Sequence, residues 1–485
     1  MSWLDVAHGV GPQTNAAPLT RRALLVRASV AAGGAFSVEA FGGGHASATT
    51  WPPASAYSGE VPAAWFDLAL DLVRTTPGFS PPVASRAFGY AGVALYQAVV
   101  PGIPRRRSLA GELNGLAEAP RPAQHSYHWP TVASSALASI LRSLFPTTPA
   151  VNRAAIEELD RRFSTEARAT LPPVVYRRSV KLGADVAMHV FEWSKLDGGH
   201  EAFLRNFPPF TPPSGPGLWE PTPPGYLPAL QPYWGTNRPF VLRSGQTCSA
   251  APPPAYSENP GSPFYREAHE CYASVNRLTP GQEAIARFWS DDPGETATPP
   301  GHSISILTQV VRALDLPLGS AAEAYAKVGV AVADAFISCW STKYRFNLLR
   351  PVTYIRRLID PNWTPLLITP PFPEYTSGHS VQSGAAAQVL TDLFGPLAFT
   401  DRTHERTGLA PRSFGSFIEA AHEAAISRLY GGIHFRAACE RGVEQGLCVG
   451  KRVSALPGHG PAARPPVASR SSAALEETLA SLRAR

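Results

Sequence analysis

Residues 320–351 read SAAEAYAKVGVAVADAFISCWSTKYRFNLLRP, and their periodicity decides the fold. Small and apolar residues recur at helical spacing with no proline before Pro351, which predicts a helix over 320–342. Lys343 and Arg350 follow, seven residues apart. If the helix continues, two turns place both side chains on nearly the same face. Like charges stacked there repel unless an anion sits between them. The same residues also suit a solvated helix end, with basic groups near the C-terminal dipole and a proline closing it. These residues alone leave both readings open.

Working outward, helical periodicity predicts further helices at about 61–75, 81–99, 129–144, 149–164, 173–195, 281–290, 302–314, 380–394, 412–430 and 439–453. Strand patterns are scarce, so the expected fold class is all-α, built of helical bundles. Residues 201–263 hold 16 prolines, too many for a regular element. A segment of this length in a compact protein wraps the surface or shapes a site entrance.

Composition narrows the function classes. The 485-residue chain is 44% hydrophobic and 16% charged, ordinary for a globular protein, and its 50 prolines cluster between helices and near the C-terminus. A net charge of +6 with no Lys/Arg run gives no nucleic-acid footprint. Five cysteines lack zinc-ligand spacing and are too few for a disulfide framework, although one or two bridges remain open. No stretch of about 18 apolar residues predicts an integral membrane segment in the mature chain. Thr20-Arg21-Arg22-Ala23-Leu24-Leu25, an Ala/Gly-rich stretch and Ala46-Ser47-Ala48 resemble a twin-arginine signal. That reading makes the export machinery a partner and places the mature protein in the periplasm or outside the cell. The expected regions are a signal at 1–48, an N-terminal helical region with Pro-rich loops at 49–320, a C-terminal helical region with the oxyanion site at 321–455, and a tail at 456–485.

Two further segments carry unexpected polar residues. In Phe372-Pro-Glu-Tyr-Thr-Ser-Gly-His-Ser380, Thr376 or Ser377 can cap the helix that follows. A helix N-terminus with a serine hydroxyl and a glycine is a ready anion site, and His379 stands beside it. Pro299-Pro-Gly-His-Ser303 is nearly the same string, so the string alone proves little. In Ser427-Arg428-Leu-Tyr-Gly431-Gly432-Ile-His434, the glycine pair allows a helix break that turns Arg428 and His434 toward one point. His422-Glu423 begins a metallopeptidase-like string, but Ile426 occupies the second ligand position.

Taken in order, Lys-x6-Arg-Pro, Thr-Ser-Gly-His and Ser-Arg-x5-His resemble the signature of the vanadium-dependent haloperoxidases and type 2 phosphatidic acid phosphatases. Trp234 to Phe240 and Phe288-Trp-Ser-Asp-Asp292, followed by TPPGH, are similar to the bacterial haloperoxidase-like branch. The resemblance implies vanadate as cofactor and hydrogen peroxide, halide and organic small molecules as substrates. It assigns Lys343, Arg350 and Arg428 to the equatorial oxygens, with Ser377 and the Gly378 N–H adding hydrogen bonds. His434 becomes the metal ligand, His379 the acid–base group, and Lys343 the group polarising bound peroxide. Asp292 resembles the partner of the arginine matched by Arg428, and Phe372 matches a site-lining position, with Trp340 and Phe346 as further apolar wall. Two positions depart from the pattern: Thr376 stands where proline is frequent, and Ala438 replaces an acid that orients the ligand histidine. A phosphatase acting through a phosphohistidine at His434, and a non-catalytic oxyanion binder, are the alternatives.

Overall fold

The structure is a computed structural model that describes residues 52–123 and 125–458. The signal expected at 1–48 and the short terminal helix expected in ALEETLASLRAR lie outside the described residues.

Thirteen α-helices carry the described fold. They are α1 (Glu60–Thr75), α2 (Pro81–Val99), α3 (Trp129–Leu144), α4 (Ala150–Thr170), α5 (Pro173–Ser194), α6 (Pro263–Asn276), α7 (Pro280–Phe288), α8 (Thr298–Ala313), α9 (Leu318–Phe346), α10 (Pro351–Leu358), α11 (Gly378–Phe394), α12 (Phe417–Tyr430) and α13 (Arg436–Ser454). The all-α expectation holds. Many of the prolines now have a local reason, since α2, α3, α5, α6, α7, α8 and α10 all carry one in their first turn. There the missing N–H costs nothing and the fixed φ favours the helix.

Three expectations need correction. The stretch expected as helix from 412 begins instead as β2 (Arg412–Phe414), which pairs antiparallel with β1 (Phe399–Asp401). Helix α12 starts only at Phe417, where Ser416 caps it by accepting the Glu419 N–H at 3.1 Å. Helices α6 and α10 were not expected. The first buries only Phe264, Ala268 and Cys271, and the second spans 8 residues, so neither offers a long periodic stripe. Finally, α9 passes the end expected at 342 and stops at Phe346, so the open condition that it continue to Arg350 is not met. Asn347 turns the chain at φ 47°, and Arg350 is the extended residue that precedes α10. Lys343 and Arg350 therefore come from two elements and converge by tertiary folding.

Helix α9 is the spine of the molecule. It packs on α2 at one side and α11 at the other. A Cβ on Gly329 would lie 2.7 Å from the Phe88 carbonyl oxygen, so glycine permits the backbones of α9 and α2 to touch. The main apolar core runs from Ala54 to Leu456, and a second cluster gathers α6 and α10 with Tyr375, Leu429 and Phe435. Among the described residues, no helix is long and apolar enough to cross a membrane.

The Pro-rich segment is fixed to this spine. Buried Asp334 of α9 accepts the N–H groups of Phe240, Val241 and Leu242 at 2.6, 2.8 and 3.0 Å. The Leu230 carbonyl accepts Trp340 Nε1–H and the Tyr344 hydroxyl, while the Leu230 N–H donates to Pro371. The segment thus backs the loop before α11. A disulfide joins its Cys248 to Cys448 of α13 across 200 residues, and Cys271, Cys339 and Cys439 are buried free thiols. Closing so long a loop restricts the unfolded chain, so the double variant Cys248→Ser/Cys448→Ser should lose about 2–5 kcal/mol of unfolding free energy. Equilibrium denaturation should show this as a lower midpoint, and an unmoved midpoint would rule out that contribution.

Candidate active site

Helix α9 stops one residue before a left-handed asparagine, and its last turn delivers Lys343 into the interior. Its Nζ donates to the carbonyls of Pro373 and Glu374 at 2.9 and 3.0 Å. Arg350, extended ahead of α10, donates from Nε to Phe372 O and from Nη1 to Ile433 O, both at 2.8 Å. Its Nη1 also lies 3.2 Å from His434 Nε2. Both cations are fully buried, and burial lowers Lys343 to about 7 and Arg350 to about 9. An ammonium carries three N–H donors and a guanidinium five. Lys343 therefore keeps one N–H, and so does Arg350 once the bond from its Nη2 to Pro370 O at 3.4 Å is counted.

Ser377 caps α11, its hydroxyl accepting the Ser380 N–H at 3.4 Å. Gly378 and His379 are the first two residues of that helix, and their N–H groups have no preceding turn to receive them. Side chains on the loop ahead are tied down, because Thr376 Oγ1 donates to Gln445 Oε1 at 2.6 Å and Gln445 Nε2 reaches Ser338 and Thr342. The glycine pair after α12 works as expected. Gly432 adopts φ 74°, so the chain turns and carries His434 back to Arg350.

These elements enclose a small cavity lined by Asp291, Asp292, Trp340, Phe372, Gly378, His379, Arg428 and His434, among others. Lys343, Arg350 and Ser377 stand directly behind that lining. Arg428 is buried; its Nη1 donates to Trp289 O, and its Nε has no hydrogen-bond partner. Of the nearby carboxylates, Asp292 acts on Arg428 more strongly than Asp291 does. Nε2 of His379 is also buried without a partner. Burial and the Arg428 charge hold this imidazole well below its ordinary pKa, so it is neutral near pH 7. Phe372 lies with its ring centroid 4.9 Å from both Lys343 Nζ and Arg350 Cζ, and Trp340 packs beside it. Phe346 points elsewhere, onto Tyr375, and is not part of the wall.

The partner missing at Ala438 is supplied by Glu374. Its Oε1 lies 2.8 Å from His434 Nδ1 and also accepts the Phe435 N–H at 2.9 Å. With Arg350 Nη1 donating to Nε2, the network assigns the proton to Nδ1 and the lone pair to Nε2. Burial pushes Glu374 up to about 8 and, with Arg350 next in effect, His434 well below its usual range. Sequence reasoning missed Glu374. The available signal was an acid between Pro373 and Tyr375 in an otherwise apolar run just ahead of the cap.

A family profile described as the VCPO second helical-bundle domain matches residues 323–457. The crystal structure of a bacterial vanadium-dependent iodoperoxidase superposes with a TM-score of 0.75 and 42% sequence identity, over 82% of this chain and 96% of that chain. This chain belongs to the vanadium-dependent haloperoxidases. The haloperoxidase also shares its fold with a holo-type bacterial vanadium-dependent chloroperoxidase, at a TM-score of 0.63 and 17% identity over 79% of this chain and 93% of that one. No match is found among curated protein sequences.

The haloperoxidase's own residues fit a vanadate-sized oxyanion. Three buried cations face two carboxylates, Glu374 and Asp292, and Arg428 Nε and His379 Nε2 are buried polar atoms with no protein partner. An oxyanion that also carries a hydroxyl meets both deficits, accepting from Arg428 Nε and donating to His379 Nε2. Replacing Glu374 by Ala should free the His434 ring and weaken vanadate binding by about 10–100-fold, the usual loss when an orienting carboxylate is removed. Titration of vanadate followed by vanadium-51 resonance checks this, and wild-type affinity in the variant would refute the orienting role.

Proposed function

We propose that the haloperoxidase holds vanadate with Lys343, Arg350, Ser377, Gly378 and Arg428, that His434 Nε2 is the metal ligand, and that iodide is its preferred halide. The enzyme oxidises halide with hydrogen peroxide in a vanadate-dependent reaction. One observation carries the residue assignment: His434, its proton held on Nδ1 by Glu374, lines a cavity that also meets an unpaired buried donor, Arg428 Nε.

Bound vanadate supplies a Lewis-acidic centre that activates peroxide toward halide. The chain's residues do the rest. Lys343, Arg350 and Arg428 offset anionic charge where water is largely excluded, so their attraction is not screened as it would be in solvent. His379 is a neutral base beside the cavity and can take a proton from an incoming peroxide at Nε2. Lys343 contributes its remaining N–H to the reacting oxygen. Phe372, Trp340 and Phe336 give the halide an apolar approach. The iodide preference draws its support from the 42% identity to an iodoperoxidase.

Purified enzyme loaded with vanadate should oxidise iodide faster than bromide and show least activity with chloride, and His434→Ala should abolish turnover. His379→Ala should lower turnover by about 100-fold or more, as loss of an acid–base group does, while vanadate still binds. Chloride turnover equal to iodide turnover would sink the halide assignment. Full activity in His434→Ala would sink the ligand assignment, and aryl-phosphate hydrolysis inhibited by vanadate would favour the phosphatase alternative.

We propose also that the protein is exported. The Arg21-Arg22 segment and a disulfide, which persists in oxidising compartments, support this. Cell fractionation should find the mature enzyme outside the cytoplasm and the Arg21→Lys/Arg22→Lys variant retained within it; identical distributions would refute the signal.

A further inference from the structure

The near-copy of the cap string, Pro299-Pro300-Gly301-His302-Ser303, does not build a second oxyanion floor. It lies inside the first turns of α8, and it buries His302 behind the active site. His302 Nδ1 lies 2.9 and 3.1 Å from the two carboxylate oxygens of Asp291. On the other side of the ring, Nε2 lies 2.7 Å from Asp401 Oδ2, at the end of β1. His404 joins from the loop after β1, with its Nε2 3.1 Å from Asp291 Oδ1. All four side chains are at most 4% exposed. The His302 ring stacks on Trp289 at 4.4 Å.

His404 is the informative member. Its Nε2 is buried, has no well-aligned hydrogen-bond partner among the described residues and lies 3.1 Å from Asp291 Oδ1. The ligand atoms of Asp291, His302 and His404 all lie within 4.8 Å of one another. Two ligand atoms of one tetrahedral zinc ion stand roughly 3.3 Å apart, given metal–ligand bonds of about 2.0–2.1 Å. Asp401 completes the pattern, since ligand histidines commonly give their second ring N–H to a carboxylate that fixes the ring. Asp291 itself is held at φ 51°, a left-handed backbone that turns its carboxylate toward the two histidines while its neighbour Asp292 acts on Arg428.

We propose that Asp291, His302 and His404 bind one divalent transition-metal ion of the zinc type, distinct from the vanadate site. The ion takes the place of a proton on His302 Nδ1, and Asp401 accepts a hydrogen bond from the N–H that remains at Nε2. Two carboxylates, two neutral imidazoles and a dication leave the buried cluster uncharged. The bound ion ties α8, the loop 289–292 and the loop after β1 together. That loop carries Trp289 O, which accepts from Arg428, so the ion is a structural clamp on one wall of the active site.

The test uses intact enzyme freed of metal by a chelator and kept free of vanadate. Calorimetric titration with zinc chloride should show one equivalent bound, retained in His434→Ala and weakened at least about tenfold in His404→Gln and in Asp291→Asn. Zinc-soaked crystals of the wild type should give an anomalous peak between the three side chains, which settles the matter even if a variant folds poorly. No bound zinc, no peak, or undiminished binding in folded His404→Gln would overturn the proposal and leave His302 as an imidazolium bridging two carboxylates.

Discussion

Three basic side chains are buried at one site, Arg428 in the cavity wall and Lys343 and Arg350 behind it, and the rest of the active-site region is arranged around that constraint. A buried ion left unpaired costs several kcal/mol even after relaxation, and Lys343, Arg350 and Arg428 are each almost wholly withdrawn from solvent. The chain offsets part of the cost with backbone carbonyls, from Pro370 to Glu374 for the first two and from Trp289 for the third. Neutral dipoles cannot supply a full counter-charge. The remaining deficit is a standing preference for an anion, created by the fold before any ligand arrives.

The same constraint explains the irregular backbone. A continuous helix through Arg350 would hold it at a fixed distance along the axis from Lys343, whereas the Asn347 turn lets the two approach from different directions. The Gly431-Gly432 turn does the equivalent for His434. Glu374 then fixes the result with a single oxygen, which binds both the ring of His434 and the amide of the next residue. Ring orientation and chain direction after the break are thereby one variable, not two.

Much of this was legible in the sequence where a periodic stripe was long. Helices α2, α3, α9 and α11 announce themselves because each buries nearly every residue of at least one face over four turns or more. Short elements are not legible: α10 has two turns, and the strand at Arg412 is a three-residue piece whose pairing partner is set by tertiary contact. The site follows the same division. Lys343, Arg350, Arg428 and His434 were recognisable as a pattern in chain order, and the structure gathers them around one cavity. Glu374 was not, because its role depends on a contact across 60 residues that no local spacing encodes. Nor was the Asp291, His302, Asp401 and His404 cluster, since the GHS string that supplies one member looked like a duplicate helix cap.

The clamp of Asp334 on the amides of Phe240, Val241 and Leu242 has a consequence for how such an enzyme can change. The charged cradle is built by residues 343–434, whereas the segment pinned by Asp334 and draped against Pro371 comes from a separate, Pro-rich part of the chain. Its backbone is anchored by a helix that already has its own packing, so side chains along it can be exchanged without disturbing the cradle. Chemistry and its outer support are written in different stretches of the gene product. The support can change in sequence while the charged cradle stays as it is.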